Sequence, residues 1–191
     1  AGAMIAFGMN GLVGWGPTYM TRTFGLSAGQ SAALLGKWGL VAGVAGALAG
    51  GVVADVLGRR TQRARALTVA SGLLVGGPLA IWLLTVRDLN VFIPIFIAAF
   101  FFLSWYNGPM MAVIFDVVPA RIGATVSGAY LLFIHLAGDA IAFPLVGKLS
   151  DEFGIGTAVM VLPTVSLIGG LVMLGAMATV VRDMARIRAE T

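Results

Sequence analysis

Charge is missing from most of this sequence, and the places where it is missing decide the solvent. Residues 1–20, 38–54, 66–86, 91–115 and 155–181 contain no Asp, Glu, Lys or Arg, and residues 123–147 contain only His135 and Asp139 among ionisable groups of ordinary titration range. Each run approaches or exceeds the roughly 20 residues that an α-helix needs to cross the hydrocarbon of a bilayer. Extending the second run back to residue 31 takes in Lys37 and gives six spans, at about 1–20, 31–54, 66–86, 91–115, 123–147 and 155–181. Composition agrees: 59% of residues are hydrophobic and 10% charged, where a soluble domain carries about a quarter charged residues.

In hydrocarbon every backbone polar group must be satisfied internally, which leaves helices or a closed barrel. None of the runs alternates in polarity as barrel strands do. The 27 glycines fit a helical bundle, because small residues let membrane helices approach closely. The expectation is therefore an all-α membrane protein of six transmembrane helices. No basic n-region and small-residue cleavage site precede a polar domain, so the first run does not read as a cleaved signal peptide. The absence of cysteine excludes disulfides and thiolate metal sites, and no cofactor is implied.

The loops give orientation. Counted on alternate sides, Arg59, Arg60, Arg63, Arg65, Arg121, Arg182, Arg186 and Arg188 face Arg22, Arg87 and Lys148. The excess predicts that both termini are cytoplasmic. The net charge of +4 thus reflects topology. Its arginines sit in short loops at the membrane surface, which suits lipid head groups and argues against a nucleic-acid partner.

Between the second and third spans lies Gly51-Val-Val-Ala-Asp55-Val-Leu-Gly58-Arg59-Arg60. Gly58 allows a tight turn, Asp55 can accept from a guanidinium near a helix end, and the arginines anchor the turn among phosphates. Any basic inter-helix loop shares part of this pattern. As a whole, G-x-x-x-D-x-x-G-R-R resembles the signature loop of the major facilitator superfamily, departing from it at Val56, where the family usually has a basic residue. The resemblance implies half of a major facilitator fold, with two inverted three-helix repeats split around residues 87–90. It implies a charge-paired cytoplasmic gate built from Asp55, Gly58, Arg59, Arg60, Asp116 and Arg121, with Arg121 or a nearby arginine as the partner of Asp55. Six spans are half of that superfamily's twelve. The chain opens inside a hydrophobic segment, so the expectation is the C-terminal half, whose partner is the N-terminal six-span half.

Ionisable residues inside spans are costly and read as functional candidates. Lys37 lies near the outer end of its span, and snorkelling toward water is favoured over substrate binding. His135 and Asp139 stand four apart in the middle of the fifth span, hence on one helical face together with Gly128, Leu131, Gly138 and Ala142. An unpaired carboxylate at that depth is expensive, and the imidazole supplies a partner able to exchange a proton near neutral pH. A fixed interhelical hydrogen bond is the structural alternative. Asn10, Trp15, Tyr106, Asn107 and Met110 are further candidates for a substrate cavity lined by spans one, four and five, with Ser104, Trp105 and Met111 nearby and Gly108-Pro109 positioned to loosen the fourth helix. For the aromatic and methionine side chains ordinary packing is the simpler reading.

Residues 116–151, DVVPARIGATVSGAYLLFIHLAGDAIAFPLVGKLSD, narrow the resemblance. Val117-Val118-Pro119 with Arg121, His135-Leu-x-Gly-Asp139, Pro144, and Gly147-x-Leu-Ser-Asp151 resemble the Spinster family of lysophospholipid and sphingosine-1-phosphate exporters, which has bacterial members; Ala142-Phe143 departs from the small polar residue that animal members place beside the proline. The resemblance implies a secondary transporter in a bacterial inner membrane, moving an amphipathic lipid with proton coupling through His135 and Asp139. A major facilitator carrier of another small molecule or drug is the alternative. Two other classes compete. An intramembrane hydrolase would need Ser104 or Ser127 against His135, but no G-x-S-x-G elbow occurs. A non-transporting scaffold would have no use for a charge-locked loop. No Walker-type phosphate loop is present, so the reading is of a carrier and not an enzyme.

Overall fold

The computed structural model describes residues 1–190, except the side chains of Ala120 and of residues 187–190; Arg188, counted above among the inner arginines, has its side chain outside the described residues. Helix α1 (Gly2–Phe24) is followed by α2 (Ala28–Gly58) and α3 (Ala64–Leu83). The fourth span runs as α4 (Leu89–Leu103), a tight 3-10 turn at Ser104–Tyr106, and α5 (Asn107–Asp116). After a second 3-10 turn, the fifth span comprises α6 (Gly123–Ile134), a wide π turn at His135–Asp139, and α7 (Ala140–Phe153). The short α8 (Ile155–Ala158) then leads into α9 (Val161–Glu190).

The boundaries have local causes. Gly25 ends α1 in the left-handed conformation at φ 69°, which a side chain would strain. Ser27 and Gln30 form a reciprocal capping box that opens α2, and the Asp88 carboxylate accepts from the Asn90 N–H to open α4. Pro109 has no N–H to bond the Trp105 carbonyl, and the irregular turn Ser104–Tyr106 sits just before it. The fourth helix is thus loosened beside Gly108-Pro109, one turn earlier than the dipeptide itself.

Among the described residues, five segments are long and apolar enough to cross a membrane: Ala28–Gly58, Ala64–Leu83, Leu89–Asp116, Gly123–Phe153 and Ile155–Arg186. The 23-residue α1 has the length but falls short in apolarity, because Asn10, Thr18, Tyr19, Thr21 and Arg22 dilute it. Its position compensates: Ile5 through Met9, with Gly11 and Leu12, are buried against the rest of the bundle.

Span one packs on spans five and six, as span four packs on spans two and three, and spans three and six pack on each other. Exchanging the first three spans with the last three therefore maps the packing pattern onto itself. An odd number of crossings per repeat makes the second copy run inverted. The closest approaches use missing side chains: a Cβ at Gly46 would lie 2.1 Å from the Phe101 carbonyl oxygen, and one at Gly50 would lie 2.6 Å from the Trp105 Cα. Small residues one turn apart let α2 lie directly on the backbone of the fourth span.

Spans two and five are the least enclosed, with 22% and 17% of their apolar windows buried against 56% for span three. Leu40, Val44, Leu48 and Val52 on α2, and Leu132, Phe133 and Leu136 on the fifth span, are exposed.

Candidate functional site

The π turn holds both ionisable residues of the fifth span. Its Ala140 N–H reaches back to the His135 carbonyl, five residues away, the spacing of a π-helix; such single turns concentrate at functional sites. The imidazole Nδ1 of His135 lies 2.9 Å from Asp139 Oδ2 and 3.1 Å from Oδ1. From α1, the Asn10 amide donates to Asp139 Oδ2 at 3.2 Å. The carboxylate therefore has one partner on its own span and one on the first.

The extra residue of the π turn rotates everything beyond it. Sequence spacing puts Gly128, Leu131, His135, Gly138, Asp139 and Ala142 on one face, and the structure divides that set. Leu131 and His135 line an open cavity, whereas Gly138 packs against Ala3, Ala6 and Phe7 of α1 and Ala142 is fully buried. The His135 side chain is 56% exposed and that of Asp139 19% exposed, so the carboxylate is sheltered while the imidazole opens outward. The couple is not sealed in the bundle.

The cavity has a volume of about 190 Å3 and is lined by Asn10, Tyr106, Asn107, Met110 and His135, with Met111 and Tyr130 beside them. Spans one, four and five thus converge here. Asn107 is exposed and its amide donates to the Ser104 carbonyl at 3.0 Å, which satisfies part of it without withdrawing it from the cavity. Tyr130 has no special pattern in the sequence and emerges only from the fold, its hydroxyl lying against the backbone at Gly2.

Trp15 lies elsewhere. It borders a small apolar void with Leu12, Tyr19, Phe92 and Phe96, and its ring faces Gly147. Next to that void is an open apolar groove of about 410 Å3 between α1, α2 and α4, lined by Leu12, Val13, Pro17, Leu35, Gly39 and Phe96. Lys37 is exposed near its rim, with the ammonium 4.8 Å from the centroid of the Trp38 ring, a cation–π arrangement for a snorkelling lysine.

At one end of the bundle a second polar depression of about 330 Å3 gathers Asp55, Gly58, Arg59, Arg65 and Asp116 with Met184 of α9. Arg65, at the start of α3, forms an ion pair with Asp116, at the end of α5. Asp55, for which Arg121 or a nearby arginine was the expected partner, makes no ion pair within the described residues; Arg121 and Arg60 are exposed outside the depression, and Arg65 engages Asp116 instead of Asp55. The reason is reach. Asp116 ends its helix beside the first turn of α3, whereas Arg121 lies in the following turn.

Among the described residues no group of three or more His, Asp or Glu side chains could hold a metal ion. Ser127 Oγ is buried without a hydrogen-bond partner, and Ser104 is buried beside Gly43. Neither serine lines the cavity that His135 faces.

The helical bundle thus carries an ionisable pair beside an open cavity. The sequence profile of the Major Facilitator Superfamily matches residues 1–138, and the chain belongs to that superfamily. The crystal structure of a bacterial homologue of the human lysosomal transporter Spinster, in an inward-facing and unoccupied conformation, superposes with a TM-score of 0.66 at 18% identity. That match covers 98% of this chain and 46% of the solved one, so the chain spans about half the length of the structure it resembles. The fold is half of a major facilitator fold and is Spinster-like. Membership of that superfamily points to transport and not to hydrolysis.

Proposed function

We propose that this chain is the C-terminal half of a secondary transporter that moves an amphipathic lipid, a lysophospholipid or sphingosine-1-phosphate, by proton-linked alternating access. The observation that carries the reading is the His135–Asp139 pair, whose imidazole lines the cavity shared by spans one, four and five. A group that must gain and lose a proton needs a wet side and a held side, and the exposed imidazole and sheltered carboxylate supply them.

The lipid is supported by the resemblance of residues 116–151 to the Spinster family and by the arrangement of the two openings. Asn10, Val13 and Pro17 recur along α1 at spacings of three and four, so one stripe of that helix runs from the polar cavity into the apolar groove. A head group among Asn10, Tyr106, Asn107 and His135 would leave its chain facing Val13, Leu35 and Phe96. The N-terminal six-span half would cover the exposed apolar faces of spans two and five. Both termini would be cytoplasmic, in a bacterial inner membrane, with the arginine-rich end inside.

The test is uptake of a fluorescent lysophospholipid by proteoliposomes containing the full transporter under an imposed proton gradient. Uptake that follows the gradient and collapses with a protonophore supports the reading. Gradient-independent flux, or none beyond protein-free vesicles, contradicts it.

A further inference from the structure

We propose that Asn10 is a positioning residue for the His135–Asp139 couple, its amide on the first span fixing the carboxylate that the imidazole faces. The inference rests on the reading that this couple exchanges a proton during transport.

Asp139 Oδ2 receives two contacts, from His135 Nδ1 at 2.9 Å and from Asn10 Nδ2 at 3.2 Å. A carboxylate that already accepts a hydrogen bond from an amide has less negative charge to offer an imidazolium. The amide is neutral at every relevant pH, so its dipole remains whichever way the proton moves.

Asn10 is also held in place from both sides. On one side Gly138 of the π turn rests on α1, where a Cβ would fall 2.7 Å from the Ala3 carbonyl oxygen and 3.0 Å from the Phe7 nitrogen. On the other, a Cβ at Gly8 would fall 2.7 Å from the Leu162 carbonyl oxygen of α9. The helix that carries the amide is wedged between the fifth and sixth spans, so the donor cannot drift from the carboxylate without moving packed backbone. A donor fixed on a rigid element is how a site keeps a set geometry.

The other ionisable groups facing the cavity are Tyr106 from the fourth span and Tyr130 from the fifth; among the described residues no further ionisable side chain lines it. Within the described residues Asp139 is the charged group against His135, and Asn10 is the amide against Asp139.

The test is the titration of His135 by ring-15N NMR of the full transporter in lipid nanodiscs, with its resonances assigned by their loss in His135→Gln and followed over about pH 5 to 8. Asn10→Leu, which keeps the volume and removes the donor, should raise the midpoint by about half a unit, a threefold gain in proton affinity. Asn10→Gln, which keeps an amide, should return most of the way to the unaltered midpoint, and Asn10→Asp should raise it beyond Asn10→Leu by adding a second negative charge. Should Asn10→Leu fail to fold, Asn10→Val, which also lacks a side-chain donor, provides the same comparison. An unshifted midpoint in the donor-less variant, or equal shifts in the leucine and glutamine variants, would overturn the proposal. The transport reading is tested separately, by gradient-driven flux through the unaltered full transporter, so failure here is distinct from failure of that reading.

Discussion

Gly138 and Ala3 touch backbone to backbone: a Cβ added to Gly138 would stand 2.7 Å from the Ala3 carbonyl oxygen and 2.9 Å from the Ala6 Cβ. This is the contact that seats the π turn on the first span. Gly138→Ala should therefore cost about 1–3 kcal/mol through overpacking, read as a lower thermal midpoint in detergent. Adding Ala6→Gly should recover only part of the loss, because the Ala3 carbonyl remains in the way. A Gly138→Ala protein as stable as the unaltered one would show that the turn is not seated there.

Arg65 and Asp116 tie the start of α3 to the end of the fourth span with side chains 38% and 24% exposed. Pairs this open to solvent contribute little to stability, about 1 kcal/mol or less. Asp116→Asn should leave the melting point nearly unchanged yet shift the balance between inward-closed and inward-open forms by up to about fivefold. The double variant Arg65→Asp with Asp116→Arg should restore part of that balance. Accessibility of a cysteine introduced at Gly58 provides the readout, since the chain has no cysteine of its own.

Asp55 lines the same depression but makes no ion pair among the described residues. Its removal should not disturb the half-bundle. Asp55→Asn is expected to keep the thermal midpoint of this chain and to slow transport by the full protein, because a latch between halves needs its partner from the other half. A marked drop in stability of the isolated chain would instead assign Asp55 a role inside this bundle.

The spans were legible because charge is excluded from hydrocarbon: each expected span overlaps a helical pass, although the fifth runs on to Phe153 and the sixth to Glu190, beyond the expected 147 and 181. The loosened fourth helix was legible from Pro109. His135 and Asp139 stood out for the same reason as the spans, since an ionisable group inside an uncharged run is conspicuous. Their partners did not stand out. Asn10 meets Asp139 across 129 positions, and Arg65 pairs with Asp116 where an arginine partner was expected for Asp55, because such pairings depend on how packed helices are rotated. The π turn adds one residue to a helix with no residue type that announces it, and so the face predicted from regular spacing splits at Gly138. Tyr130, Leu131, Ile134 and His135 share the cavity wall by ordinary helical spacing, but nothing in the residue type of Tyr130 marks it out.

The account depends most on the couple at the cavity wall. The direct measurement is the pH profile of lysophospholipid flux through the full transporter in proteoliposomes, compared with His135→Ala and Asp139→Asn proteins that fold and insert normally. The account predicts that flux in the unaltered protein varies with pH across the histidine range and that both variants lose that variation together with most of the flux. Variants that transport at the unaltered rate, with the same pH profile, would contradict it.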